Sequence, residues 1–233
     1  MTSRSLPTRE TVPKSLRDHD QWICWRQEPR DGKQTKIPIN PASGEYASTT
    51  DPETWSSFGT AREWAEAENE DGLGFVFADD DSIVGVDLDD CRDPESGAPE
   101  EWAKSVVERL ESYTEVSPSG MGYHVLVSGS LPEGRNRKGN LEVYETARFF
   151  TVTGAHVDGT PTIIQERTDE LQAVHAEHLN RRARRRGDDG VLQTLWNTVN
   201  GPSVRDATSD RFGGSAISRS RADSANCRVA GTA

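Results

Sequence analysis

Residues 83–91 read Ile-Val-Gly-Val-Asp-Leu-Asp-Asp-Cys, and their alternation limits the fold more than any other stretch of the chain. It has the period of a β-strand. Val84, Val86 and Leu88 would share one face, and Asp87 and Asp89 the other. The apolar set demands a core on its side. The two carboxylates would then stand about 7 Å apart along one sheet surface, a spacing at which both can reach one divalent cation or a pair. The same pattern also fits an acidic strand end in an acidic protein, and this stretch alone leaves both readings open.

Two later stretches repeat the design. The small-residue turn Ser117-Pro118-Ser119-Gly120-Met121-Gly122 runs into a strand in which Tyr123, Val125 and Val127 share one face and His124 takes the other. Backbone amides around Ser119, Gly120 and Gly122 could cradle an anion beside that histidine. In residues 141–144, Leu141 and Val143 share a face and Glu142 sits opposite. Each of the three strands thus presents an ionisable group opposite aliphatic residues. Between His124 and Glu142 lies a loop with Arg135, Arg137 and Lys138, which reads either as a contact to phosphates or as a solvated basic loop.

In this order the motifs Asp87-Leu88-Asp89, Ser119-Gly120-Met121-Gly122-Tyr123-His124 and Glu142, followed by Arg148-Phe149-Phe150-x-x-Thr153-Gly154, resemble the archaeo-eukaryotic primase superfamily. The likeness is to the single-chain primase-polymerases of phages, plasmids and mobile elements, with their bifunctional primase/polymerase N-terminal domain, and it spans residues 15–180. It implies an α+β fold: an RRM-like mixed or antiparallel sheet with helices on one face, plus an N-terminal α/β unit. It further implies that Asp87, Asp89 and Glu142 are catalytic and hold two Mg²⁺ or Mn²⁺ ions. Ser119, Gly120, Gly122, His124 and Arg148 would bind the nucleotide, and Phe149 would lie near its sugar. Lys36, two residues before Pro38, would reach phosphate or stay a solvated strand charge. The implied reaction is template-directed nucleotidyl transfer, with a single-stranded DNA template, a primer, an NTP or dNTP, and a replicative helicase as partners. A non-catalytic DNA-binding or regulatory fragment is the rival reading. A metal-dependent nuclease would want a His-x-His pair, which the sequence lacks.

The net charge of -12 does not exclude DNA as a partner. Twenty-two arginines against five lysines, with 39 acids, match proteins of a salt-rich cytoplasm such as an extreme halophile's, where a carboxylate surface stays hydrated under strong screening. Cys24, Cys91 and Cys227 have no paired spacing, so neither a zinc site nor a disulfide framework is expected. The chain has no run of eighteen apolar residues, and the expectation is a cytoplasmic protein with no membrane partner.

Along the chain, residues 1–15 are expected to be flexible and 16–180 to form the catalytic domain. Strands are expected over 21–26 and 35–39 around a loop at 28–34. One helix should start at Asp51-Pro52 and bury Trp55, Phe58, Ala61 and Ala65. Residues 73–77 and 83–89 should pair as a hairpin. A second helix should carry Pro99 in its first turn and bury Trp102, Ala103, Val106, Val107 and Leu110. Strands near 114–116, 123–127, 141–144 and 149–153 should complete one mixed sheet. Thr168 should cap a last helix with His175 and His178 at its surface. The basic run 181–186 should end it, and 187–233 should be a largely disordered remnant of a helix-bundle domain.

Overall fold

The computed structural model describes residues 6–180. Residues 1–5 of the segment expected to be flexible lie outside the described residues; of its remainder, Leu6 and Val12 pack with the core and Arg9 to Thr11 are exposed. Val12 and Leu16 are four residues apart and both are buried, Leu16 on the one-turn helix α1 (Lys14–Arg17). The Trp22 indole nitrogen donates to the Leu16 carbonyl at 3.3 Å, fastening that turn to the first strand. The basic run at 181–186 and the remnant expected at 187–233 lie outside the described residues.

β1 (Trp22–Arg30) and β2 (Lys33–Ile39) form a hairpin that closes through a two-residue turn at Asp31 and Gly32, both with positive φ, so the strands run longer than expected. The single helix expected from residue 51 is two elements. Pro52–Thr54 is a 3₁₀ turn, and α2 (Phe58–Glu68) begins afresh where the Ser57 hydroxyl accepts from the Thr60 amide at 3.2 Å. Between them Ser56 pairs its backbone with Trp22 at 2.9 and 3.0 Å, so the chain is extended there and Trp55 leaves the helix face.

β3 (Gly72–Phe77) and β4 (Ile83–Leu88) follow each other in sequence but lie in different sheets, so the hairpin expected of them does not form. All six residues of β3 are buried, as an apolar run with no alternation requires of a central strand. β3 pairs with β1 on one side and with β9 (Arg148–Val152) on the other, giving an all-antiparallel sheet in the order β2-β1-β3-β9. Phe58, Ala61 and Ala65 of α2 join the core packed with it.

The second sheet is built around β4. After α3 (Glu101–Leu110) come β5 (Tyr113–Val116), β6 (Tyr123–Ser128), β7 (Arg137–Lys138), β8 (Leu141–Tyr144) and β10 (Gln165–Glu166), and the strand order is β10-β6-β4-β8-β7 with β5 also on β6. Only β10 runs parallel to its neighbour. The fold is therefore α+β with two sheets, where one mixed sheet was expected. Val84, Val86 and Leu88 pack with Ala103, Val106 and Leu110 of α3 and with Leu171 and Val174 of α4 (Thr168–Val174), so these helices cover one face of this sheet. Pro99 lies ahead of α3 rather than in its first turn, and Thr168 is the first residue of α4, not its cap. His175 is buried in the π-helical turn His175–Leu179 that follows, with Nε2 2.9 Å from the Arg135 carbonyl, where a surface position was expected.

The other face of the second sheet meets the first. Ile83, Tyr113 and Leu126 join one core with Phe75, Phe77 and Phe150. Gly85 makes this contact feasible, since a Cβ there would run into the rings of Phe77 and Phe150, which pack edge to face at 4.9 Å. Gly85→Ala should therefore cost about 1–3 kcal/mol, the usual penalty of overpacking, read as a lower midpoint in denaturant with an unchanged slope. A midpoint equal to that of the wild type would mean the two rings move aside freely.

Candidate active site

Where β4, β6, β8, β5 and β7 run side by side, strand register places five ionisable side chains in one row. Glu115 pairs with His124, His124 with Asp87, Asp87 with Glu142, and Glu142 with Arg137. Directly opposed residues share a face, and this face points away from α3 and α4. It is the same face that carries Ile83 and Leu126 into the contact between sheets, so the row stands at the margin of that contact. One cleft of ≈ 540 Å³ reaches it and is lined by Asp87, His124, Lys33, Lys36, Arg148 and Phe149 among others.

The two ends of the row are satisfied. Glu142 Oε1 accepts from Arg137 Nε at 2.7 Å, and Oε2 from the Tyr144 hydroxyl at 2.6 Å. Glu115, only 1% exposed, takes the Thr153 amide on Oε1 at 3.0 Å, and the Gly154 amide at 2.9 Å and the Tyr113 hydroxyl at 3.1 Å on Oε2. The middle is not satisfied. Asp87 Oδ1 and His124 Nδ1 are buried without a hydrogen bond; His124 Nε2 lies 3.7 Å from Asp87 Oδ1, and Nδ1 3.5 Å from Glu115 Oε1. The Phe150 ring lies against the imidazole at 4.9 Å.

Burial pushes the Asp87 carboxyl above its usual range; His124 offsets part of this, and Asp89 and Glu142 add to it. Asp89 lies just past the end of β4, more exposed, with its amide donating to the Asn140 carbonyl at 2.8 Å. Its carboxyl is also raised, by partial burial first and then by Glu142 and Asp90. Among the described residues no three His, Cys, Asp or Glu side chains are gathered closely enough to enclose an ion, since Glu142 is turned to Arg137 and Tyr144. The donor chemistry nevertheless suits a hard divalent cation. Asp87, Asp89 and Glu142 lie within electrostatic reach of one another, Asp87 has a buried oxygen without a hydrogen bond, and Asp87 and Asp89 have raised pKa values that a cation would relieve.

The structure separates other residues that the sequence grouped. Ser119 and Gly120 line a different cleft of ≈ 450 Å³, together with Leu6, Thr11 and Thr153. Gly122 is a packing residue, because a Cβ there would strike the Leu88 carbonyl at the end of β4. Lys138 donates to the His178 carbonyl at 2.6 Å, and Arg137 holds Glu142, so two of the three loop cations are engaged within the protein. Lys36 lies 3.4 Å from the Thr151 hydroxyl, and Arg148 stacks over the Tyr144 ring at 5.0 Å; both reach the Asp87 cleft. Phe149 lines that cleft and packs on Gly74, but the ring on His124 belongs to its neighbour Phe150. Sequence reasoning missed Phe150, Tyr144 and Glu115. For Glu115 the signal was present in its alternation with Thr114 and Val116.

No protein-family profile matches the chain. It is similar to the DNA primase-polymerase of Nitratiruptor phage NrS-1, with 39% identity over 171 residues, covering 71% of this chain and 23% of that protein. The chain thus spans less than a quarter of the length of the curated relative it matches. Among the described residues no helix is long and apolar enough to cross a membrane.

A carboxyl raised on folding binds more protons in the folded state between its two pKa values. Its contribution to stability is therefore unfavourable above the folded value and vanishes below the unfolded one. Asp87→Asn should accordingly raise the Tm of the metal-free protein at neutral pH, and the gain should shrink as pH falls through the carboxylate range. A variant less stable than wild type at neutral pH would show that the pairing with His124 outweighs the burial.

Proposed function

We propose that this chain carries the nucleotidyl-transfer centre of a DNA primase-polymerase of a mobile element or virus, extending a primer along a single-stranded DNA template from nucleoside triphosphates. The observation that carries the reading is the row of Glu115, His124, Asp87 and Glu142 at one level of one sheet face, opening into a cleft that Lys33, Lys36 and Arg148 also line. The likeness to a phage primase-polymerase supports it. On this reading the second sheet with α3 and α4 is the RRM-like catalytic core of the archaeo-eukaryotic primases, and a replicative helicase is a further partner.

Asp87, Asp89 and Glu142 are the residues that would hold two Mg²⁺ or Mn²⁺ ions, which when bound lower the pKa of an attacking 3'-hydroxyl and neutralise charge on the transferred phosphoryl group. The remaining work falls to the chain itself. Lys36 and Arg148 hold the triphosphate by charge, and the stack of Arg148 on Tyr144 limits where its guanidinium can go. His124, backed by Glu115 and pressed by Phe150, offers Nε2 to a phosphate oxygen beside Asp87. Glu142 is held by Arg137 and must exchange that partner to join Asp87, which frees the guanidinium for phosphate. Phe149, on the wall of the cleft, is placed to bear on the choice between ribose and deoxyribose.

Primer extension on a primed single-stranded template with Mg²⁺ or Mn²⁺, in high salt, tests this reading. Asp87→Ala, Asp89→Ala and Glu142→Ala should each lower incorporation by about a hundredfold or more, equivalent to several kcal/mol of charge stabilisation, while the protein still melts cooperatively. Extension at the wild-type rate by any one of them removes that residue from the site, and no extension by the wild-type chain refutes the reading. His124→Ala should weaken nucleotide binding about tenfold to a hundredfold, the loss of one charge-assisted contact, and leave Mn²⁺ binding nearly unchanged. Equal losses for nucleotide and for metal would make His124 a ligand-shaping residue instead.

A further inference from the structure

Glu115 is the most deeply buried member of the row, and a lone carboxylate is rarely left in such a place. Its surroundings explain how it survives there. Two consecutive backbone amides, of Thr153 and Gly154, point at its two oxygens from the chain that leaves β9, and the Tyr113 hydroxyl lies between Oε2 at 3.1 Å and the Thr11 carbonyl at 3.0 Å, with one proton for the two. Hydrogen bonds to the charged form offset desolvation. The carboxylate also ties the two sheets together, since Glu115 is on β5 of the second and Thr153 directly follows β9 of the first. The Thr153 hydroxyl adds a parallel tie to the Val116 carbonyl at 2.8 Å.

Oε1 has a second neighbour besides the Thr153 amide. That oxygen faces His124 Nδ1 at 3.5 Å across a directly opposed strand pair. The other ring nitrogen, Nε2, faces Asp87 and the cleft, and Phe150 covers a ring face. A carboxylate behind one imidazole nitrogen sets which nitrogen carries the proton of the neutral ring and how the ring is turned. We propose that Glu115 is a positioning residue: from behind Nδ1 it makes this nitrogen carry the proton of the neutral ring, and it holds the ring so that Nε2, protonated in the imidazolium, donates to the phosphate in the cleft. The proposal rests on the nucleotidyl-transfer reading for what His124 meets, but not for how the imidazole is held.

Two measurements separate these layers. The first needs neither nucleotide nor metal: ¹⁵N NMR of the full chain labelled in its histidines, at a pH where His124 is neutral, with His124→Ala identifying the resonance. The expected result is a ring protonated on Nδ1, and a ring protonated on Nε2 overturns the proposal even if nucleotide binding is confirmed. The second is nucleotide affinity for the wild type, Glu115→Gln, His124→Ala and the double variant. Glu115→Gln keeps the size of the side chain but turns one of its two acceptors into a donor. It should weaken binding about tenfold to a hundredfold, as losing a partner behind a functional imidazole does. The double variant should bind no more weakly than His124→Ala. Additive losses would mean that Glu115 acts only as a tie between sheets and would overturn the proposal. Thr153→Ala removes the hydroxyl tie to the Val116 carbonyl but keeps the backbone amide on Glu115, and should leave the His124 tautomer and the nucleotide affinity as in wild type. A wild-type chain that binds no nucleotide sinks the functional reading, and the tautomer still decides the role of Glu115.

Discussion

A β-strand has two faces, and in this protein β4 gives them to two different media. Val84, Val86 and Leu88 go to the helices, while Ile83, Gly85 and Asp87 go first to the aromatic contact between sheets and then to an open cleft. Because side chains alternate strictly, a slip of one residue in register would bury Asp87 among aliphatic side chains and expel Val86. Both neighbours of β4 are bound by the same constraint, with Val125 and Val127 of β6 on the helix side and His124 on the other face, and Val143 of β8 on the helix side and Glu142 on the other face. The ionisable row is thus a consequence of three strands obeying one pattern. Gly85 sets where aromatic packing stops and the row begins.

The row also distributes its electrostatic cost unevenly. Backbone amides hold Glu115, and a guanidinium and a phenol hold Glu142, so both ends are compensated. The atoms without a hydrogen bond belong to the two central residues: Asp87 Oδ1, facing His124 Nε2, and His124 Nδ1, facing Glu115. Buried polar atoms without partners each cost of the order of 1–3 kcal/mol, and folds retain them where something else is to bind.

Much of this was legible in residues 83–91, 123–127 and 141–144, where strict alternation assigns faces without a structure. Strand pairing was not. The hairpin expected of β3 and β4 does not form because β3, buried along its whole length, takes β1 on one side and β9 on the other. The long helix expected from residue 51 failed because Ser57 stops helical bonding as well as capping it. For Glu115 the alternation with Thr114 and Val116 gives the face but not the burial, because its donors, Thr153 and Gly154, are about forty residues away and act through backbone amides that no side-chain pattern reveals. The turn holding Ser119 and Gly120 is the converse case, a composition suited to anions that faces another cleft.

Charge poses the remaining physical problem, since a chain of net charge -12 must hold a polyanion if the proposed function is right. Of its five lysines, Lys33 and Lys36 both lie on β2 and both line the Asp87 cleft, where Arg148 of β9 joins them. The surrounding acids would repel a nucleotide at low salt, but screening shortens their reach from about 10 Å at 0.1 M to about 3 Å at 1 M. Contacts inside a cleft survive that screening better than fields across a surface. High ionic strength, which weakens most nucleic-acid binding, would here remove repulsion first and attraction last, so the local reversal of sign in the cleft matters more than the charge of the whole chain.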